Sequence, residues 1–175
     1  VLDQMQPDDA ADLIAQLTEE RGEALLGLMQ PEEAEDVRML LAYAPDTAGG
    51  LMTTEPVIVP ADTTVAEALA LIRREDLAPA LGAAVCVTLP PYEPPTGRFL
   101  GMVHFQQMLR FPPMERLGTL LDQKLDPVHA DTSAAEVSRI LASYDLVSVP
   151  VVDDNYRLVG VVTIDDVLDY LLPDD

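Results

Sequence analysis

No tryptophan and a single cysteine, Cys86, occur among the 175 residues. One cysteine cannot close a disulfide within the chain. Its place in the apolar run Ala83–Val87 reads as a small buried hydrophobe rather than a nucleophile. Aromatics make up only 5%, so the core must be built from Leu, Val, Ile, Ala and Met, and Met5, Met29, Met39, Met52, Met102, Met108 and Met114 read as filler for a core or dimer face. Basic side chains are scarce: 10 Lys and Arg stand against 31 Asp and Glu, a formal net charge of −21. Such a surface repels phosphates, which argues against nucleic acid and anionic lipid as direct partners and favours cations or basic proteins. The two histidines, His104 and His129, are far apart and have no partner at ligand spacing, so both read as structural. Ser-His-Asp sets, Gly-rich phosphate loops and Cys-x-x-Cys pairs are missing as well, and the chain is not expected to be an enzyme. No apolar run approaches the roughly 18 residues of a membrane-spanning helix, and no signal peptide is visible. The chain opens on Val1 rather than an initiator Met, as expected of a soluble piece of a longer protein.

What the chain does contain is repetition. MQPDDAADLIAQL at 5–17 returns as MQPEEAEDVRMLL at 29–41, with Pro7 and Pro31 each followed by two acids. Proline suits the first helical position and acids suit the first turn of a helix. Ala10, Leu13, Ile14 and Leu17 recur at helical spacing, as do Ala34, Val37, Leu40 and Leu41. A further short helix is predicted over Glu23–Met29. Residues 1–44 therefore read as a lobe of short helices wound into a superhelix. Residues 45–54, with Pro45 and Gly49–Gly50, read as a linker.

The remainder repeats on a larger scale. Asp62–Thr63 aligns with Asp131–Thr132 at an offset of 69, and Arg98–Gly101 aligns with Arg157–Gly160 at an offset of 59. Residues 55–124 and 125–175 each begin with a short extended segment. A predicted helix follows, Val65–Arg74 in one and Ala134–Tyr144 in the other. Thr64 with Glu67 and Ser133 with Glu136 fit capping boxes at their starts. Strands are predicted over Ala83–Val87 and Leu100–His104, then Val147–Val152 and Leu158–Thr163. The closing helices are Gln106–Arg110 and Asp165–Leu172. The fold class is α/β: a helical lobe, then β-α-β-β-α twice. The first copy carries the Pro-rich insert TLPPYEPPTG, which suits an irregular loop.

Charge divides along the same lines. Residues 1–50 hold 12 acids and 2 bases, a net of −10. Residues 51–124 hold 8 and 6, a net of −2, and residues 125–175 hold 11 and 2, a net of −9. Two acidic ends flank a near-neutral middle. If those ends touch, their repulsion calls for counter-charge, and a divalent cation supplies it.

The tandem units, above all SVPVVDDNYRLVGVVTIDDVL at 148–168, resemble a pair of CBS modules. The Pro-acid repeats and the bridge APDTAGGLMTTEPVIV add a more specific likeness to the intracellular region of MgtE-type magnesium channels, across essentially the whole chain. The resemblance implies a partial N domain, a CBS pair that forms a homodimer through its helical faces, and a pore domain of the same protein lying outside this sequence. It places the chain on the cytoplasmic face of the bacterial inner membrane. It also implies magnesium held between the N domain and the second CBS module, with Asp9, Asp145, Asp166 and Asp169 at the matching positions and Asp8 and Asp12 as neighbours. Two further acid positions of that family fall on Ser133 and Ala135.

Read from the residues, Asp165, Asp166 and Asp169 lie three and four apart and share one side of the last helix, with Leu168, Leu171 and Leu172 on the other. A helix-dipole role for the first two stands beside the metal role. Magnesium needs only one or two carboxylates and keeps several waters, so scattered acids suffice. The alternative chemistry is adenine-nucleotide sensing in the regulatory module of another transporter or enzyme. Gly160-x-x-Thr163-x-x-Asp166 is the CBS pattern that holds a ribose, which makes Thr163 and Asp166 the nucleotide candidates and ATP the ligand. Against it, Gln106–Gln107 stand where the resemblance implies the Arg-Asp of ATP-binding MgtE-type proteins and Leu146 where it implies a stacking aromatic, and Thr163 also suits a helix cap.

Overall fold

A computed structural model of the chain describes residues 7–31, 34, 43–74, 77–121, 126–144 and 146–172. Two helices open it, α1 (Pro7–Ala15) and α2 (Glu19–Leu28). The second starts earlier than expected because Thr18 caps it: the Thr18 Oγ1 accepts from the Arg21 amide at 3.4 Å. Val37, Leu40 and Leu41 of the second Pro-acid repeat lie outside the described residues.

A short helix α3 (Ala48–Leu51) leads into the first β-α-β-β-α unit: β1 (Ile58–Val59), α4 (Val65–Ile72), β2 (Ala84–Thr88), β3 (Phe99–His104) and α5 (Phe105–Met108). A 3-10 turn at Leu117–Thr119 leads into the second: β4 (Val128–His129), α6 (Ala134–Ser143), β5 (Ser148–Val152), β6 (Leu158–Thr163) and α7 (Ile164–Leu171). Observed ends differ from the expected ones by one or two residues at most elements, as helix ends commonly do. Each unit makes a three-stranded sheet, with β1 parallel to β2 and β2 antiparallel to β3, then β4 parallel to β5 and β5 antiparallel to β6. The register shifts at the same place in both, after Val87 and after Val151, which face Gly101 and Gly160.

The capping boxes come out unequally. Thr64 and Glu67 cap reciprocally. Ser133 accepts from the Glu136 amide at 3.2 Å, but the Glu136 carboxylate turns away to pair with Arg139, so the second box is only half made.

The segments ahead of the two units are exchanged. Residues 46–53 precede the first unit yet bond to the second: the amides of Ala48 and Gly49 donate to the carbonyls of Thr132 and Ala130, Ala134 donates to Asp46, and Thr53 and Val161 exchange both bonds. Residues 115–121 precede the second unit yet bond to the first, with Leu117 donating to Thr63, Gly118 to Ala61 and Val65 to Glu115. These three bonds have their counterparts 69 residues away in those of Ala48, Gly49 and Ala134. The stretch expected to be a linker is therefore a strap clasped on the distant unit.

Three apolar clusters result. One fills the first unit, around Val65, Val85, Val103, Met108 and Leu117. A second lies between the sheets, where Cys86, Phe99 and Met102 meet Val152, Leu158 and Val161. The third is continuous from Ala10, Ala11, Ile14, Leu26 and Met29 of the helical lobe through Ala48 and Met52 of the strap to Val137, Val149, Val162 and Val167 of the second unit. The lobe shares its core with the second unit rather than the first.

Candidate functional site

The site expected at the start of the last helix is built by its cap. Thr163 ends β6 in extended backbone, and its Oγ1 accepts from the Asp166 amide at 3.1 Å. In return Asp166 Oδ2 accepts from the Thr163 amide at 2.9 Å. Thr163 is buried and Asp166 half-buried. Both nucleotide candidates thus hold the helix start, where the Asp166 charge also complements the helix dipole.

Asp165 and Asp169 are exposed along the same helix. Val167 alone of this helix is buried, while Ile164, Leu168, Leu171 and Leu172 form an exposed apolar stripe, with Leu171 57% exposed. The stripe follows helical spacing on α7 and its C-cap, so it is a face in want of a partner rather than scattered exposure.

Of the four metal candidates, Asp166 and Asp169 are brought together on α7. Asp9 stands in the first turn of α1, but its side chain, like the whole of Asp145, lies outside the described residues. Asp12 is exposed on α1. Among the described residues no group of three or more Asp, Glu, His or Cys converges on a point that could hold a metal. What is present fits a small hard cation keeping most of its water and touching one or two carboxylates, and does not fit an all-protein cage.

Of the other positions weighed, Ser133 is spent on its cap and Ala135 is exposed. Leu146 packs against the shared apolar cluster. His129 is exposed, and His104 precedes α5 without capping it. Burial pushes the Cys86 thiol up to about 12, which suits a structural residue and not a nucleophile. Sequence reasoning passed over Thr54. It is 5% exposed, and among the described residues its Oγ1 is the buried side-chain polar atom without a hydrogen-bond partner. It follows Thr53, which pairs with β6 ahead of Thr163. Two adjacent threonines directly after the apolar run Ala48–Met52 were the signal available.

Compared with known proteins, the chain matches the CBS domain family over residues 48–113 and 118–173 and the MgtE intracellular N domain over residues 1–46. It is 36% identical to the magnesium transporter MgtE of Thermus thermophilus over 94% of this chain and 36% of that protein. It is 28% identical to the magnesium transporter MgtE of Bacillus subtilis over 98% of this chain and 37% of that protein. The chain therefore spans little more than a third of these relatives. Among solved structures, the cytosolic domain of the Mg2+ channel MgtE in complex with ATP matches with a TM-score of 0.85 and 34% identity, over 97% of this chain and 67% of that one. The soluble part of a magnesium transporter matches at 0.82 and 27%, over 97% and 64%. No helix among the described residues is long and apolar enough to cross a membrane.

Proposed function

The chain belongs to the MgtE family, and from that membership we propose that it is the magnesium-sensing regulatory region of a membrane magnesium channel or transporter, standing on the cytoplasmic face of the bacterial inner membrane. Its own pore domain is the part it regulates, and a second copy of the chain is its partner. Asp9, Asp145, Asp166 and Asp169 are the carboxylates assigned to the ion.

One observation carries this reading. The helical lobe, residues 1–44, and the second unit, each net −9, share one continuous buried core. Apolar burial draws them together while like charge pushes them apart. Divalent ions settling along the acidic surface remove the repulsion and leave the attraction. They favour the compact arrangement by their differential affinity for it, so several weak sites sum to a steep response. Magnesium supplies charge neutralisation there; Asp166 offers a carboxylate already oriented by its cap, and Asp169 one a turn further on.

The exposed stripe of α7 supports the homodimer, since a second copy would cover it.

ATP sensing is the second reading. It is favoured by the relative solved with ATP and by the buried Thr54 hydroxyl without a hydrogen-bond partner among the described residues. It is disfavoured by the engagement of Thr163 and Asp166 with each other.

Solution scattering across a magnesium titration reaching tens of millimolar, with and without ATP, separates the two. The expected result is a falling radius of gyration with magnesium alone, abolished in the Asp9→Asn, Asp166→Asn double variant. No change with magnesium, or change with ATP only, sinks the sensing reading. Compaction that survives the double variant sinks the residue assignment.

A further inference from the structure

Tyr43 stands where the helical lobe hands the chain to the strap. It is half-buried against the cluster that joins lobe and second unit. The root of its side chain lies directly on Gly49. A Cβ added there would fall into the ring, and would stand 2.9 Å from the tyrosine Cβ itself. Gly49 in turn is fixed to the second unit, because its amide donates to the Ala130 carbonyl at 2.8 Å.

The turn between them has no slack. Thr47 Oγ1 donates to the Ala44 carbonyl at 2.7 Å, the Gly50 amide donates back to Thr47 Oγ1 at 3.3 Å, and a Cβ on Gly50 would collide with the Ala44 carbonyl. The paired glycines are there for close approach, not for looseness. The phenol also reaches the second unit electrostatically: burial, and then the negative charge of Asp153, hold it above the usual tyrosine range.

The duplication provides an internal control. The strap ahead of the second unit makes the same backbone bonds, but the position equivalent to Tyr43 is Pro112, which is exposed. Gly118, equivalent to Gly49, faces Ala61 and no ring. Folding a strap onto its distant unit therefore does not require the aromatic. Only the strap attached to the helical lobe has one.

We propose that the Tyr43 ring seated on Gly49 is the coupling element that holds the helical lobe to the second CBS unit. It sets how readily the lobe leaves that surface, and so deepens the magnesium-sensing reading on which it rests. Residues 46–53 stay with the second unit in both states.

Hydrogen exchange on the chain without magnesium tests this independently of the ion. In Tyr43→Ala the amides of α1 and α2 are expected to exchange about tenfold faster, a loss of about 1.4 kcal/mol of local protection. Those of Ala48, Gly49, Thr53 and the strands should stay unchanged. In the scattering titration the magnesium midpoint should rise several-fold. Tyr43→Phe, which keeps the ring, should behave as the parent in both measurements. If Tyr43→Ala loosens the strands too, Tyr43→Leu serves in its place with the same readouts. Unchanged exchange of α1 and α2 in the working variant overturns the coupling role, as does loosening of residues 48–53 together with the lobe. A parent chain that never compacts with magnesium defeats the sensing reading alone, because the exchange comparison is made without the ion.

Discussion

Arg98 and Arg157 occupy the same place in the two CBS units, and their backbones form an antiparallel bridge with each other. The local two-fold axis relating the units passes between them. Two guanidinium groups at such a point would repel, and each is drawn off differently. Arg98 lies over the Tyr156 ring, 5.3 Å from its centre, while Arg157 Nε donates to Asp153 Oδ2 at 2.9 Å. Tyr156 adopts φ 60°, a left-handed conformation that costs a non-glycine residue on the order of 1 kcal/mol. Its contacts with Arg98 and Phe99 of the other unit offset that cost.

Gly160→Ala is expected to be among the most damaging single changes. A Cβ there would stand 2.5 Å from the Thr53 carbonyl oxygen and 2.8 Å from the Met52 sulfur. The backbone oxygen cannot move without breaking the Thr53–Val161 pairing. Urea unfolding should show a loss of about 3 kcal/mol or more. A loss under about 1 kcal/mol would mean the strap is free to shift.

The two helix caps should prove separable. Thr64→Ala and Ser133→Ala are each expected to cost about 1 kcal/mol. Glu67→Ala should add to the damage at α4, since Glu67 closes its box, whereas Glu136→Ala should leave α6 in place because Glu136 is turned towards Arg139. Equal effects of the two glutamate changes in urea unfolding would refute the half-made box.

Cys86 gives a pH signature. Its folded thiol is raised from about 9 to about 12, so the folded state holds the proton more tightly than the unfolded state. The resulting stability is fully present below about pH 9 and falls as pH rises from there towards 12, with a limiting slope of about 1.4 kcal/mol per pH unit. Cys86→Ala should flatten that fall between pH 9 and 11, whatever it costs at neutral pH. A parallel fall in both proteins removes the thiol from the account. The native thiol should also resist alkylation until the chain unfolds.

The stripe on α7 makes a prediction about assembly. Sedimentation should find the parent as a dimer and the Leu168→Glu, Leu171→Glu double variant as a monomer with unchanged circular dichroism. A monomeric parent at tens of micromolar would remove the second copy from the proposed function.

The duplicated architecture was legible in the sequence because repetition doubles each signal. Thr64 and Ser133 announce the same helix start, and Gly101 and Gly160 the same strand. The exchange of straps was not legible. Residues 45–54 read as a linker because Pro45 and Gly49–Gly50 are local cues, and local cues cannot say which distant surface a segment meets. Similarly, the spacing of Leu168, Leu171 and Leu172 marks an apolar side of the last helix without saying what covers it. At the candidate site the sequence brought Thr163, Asp166 and Asp169 to one helix end. It marked Thr163 as a cap of that helix, as found, but not the bond that the Asp166 carboxylate accepts from the Thr163 amide, nor the burial of Thr54.

Because the straps are exchanged, order along the chain and order in space part company. A pull on the helical lobe travels through Tyr43 and the strap and reaches Ala130, Thr132 and Ala134 before it reaches anything in the first unit, although the first unit comes next in the chain. A fragment cut just before residue 55 would contain every residue of both units by alignment and still leave the second one open along Val161. The protein's smallest mechanical part is therefore not a repeat but a repeat together with the other repeat's leader.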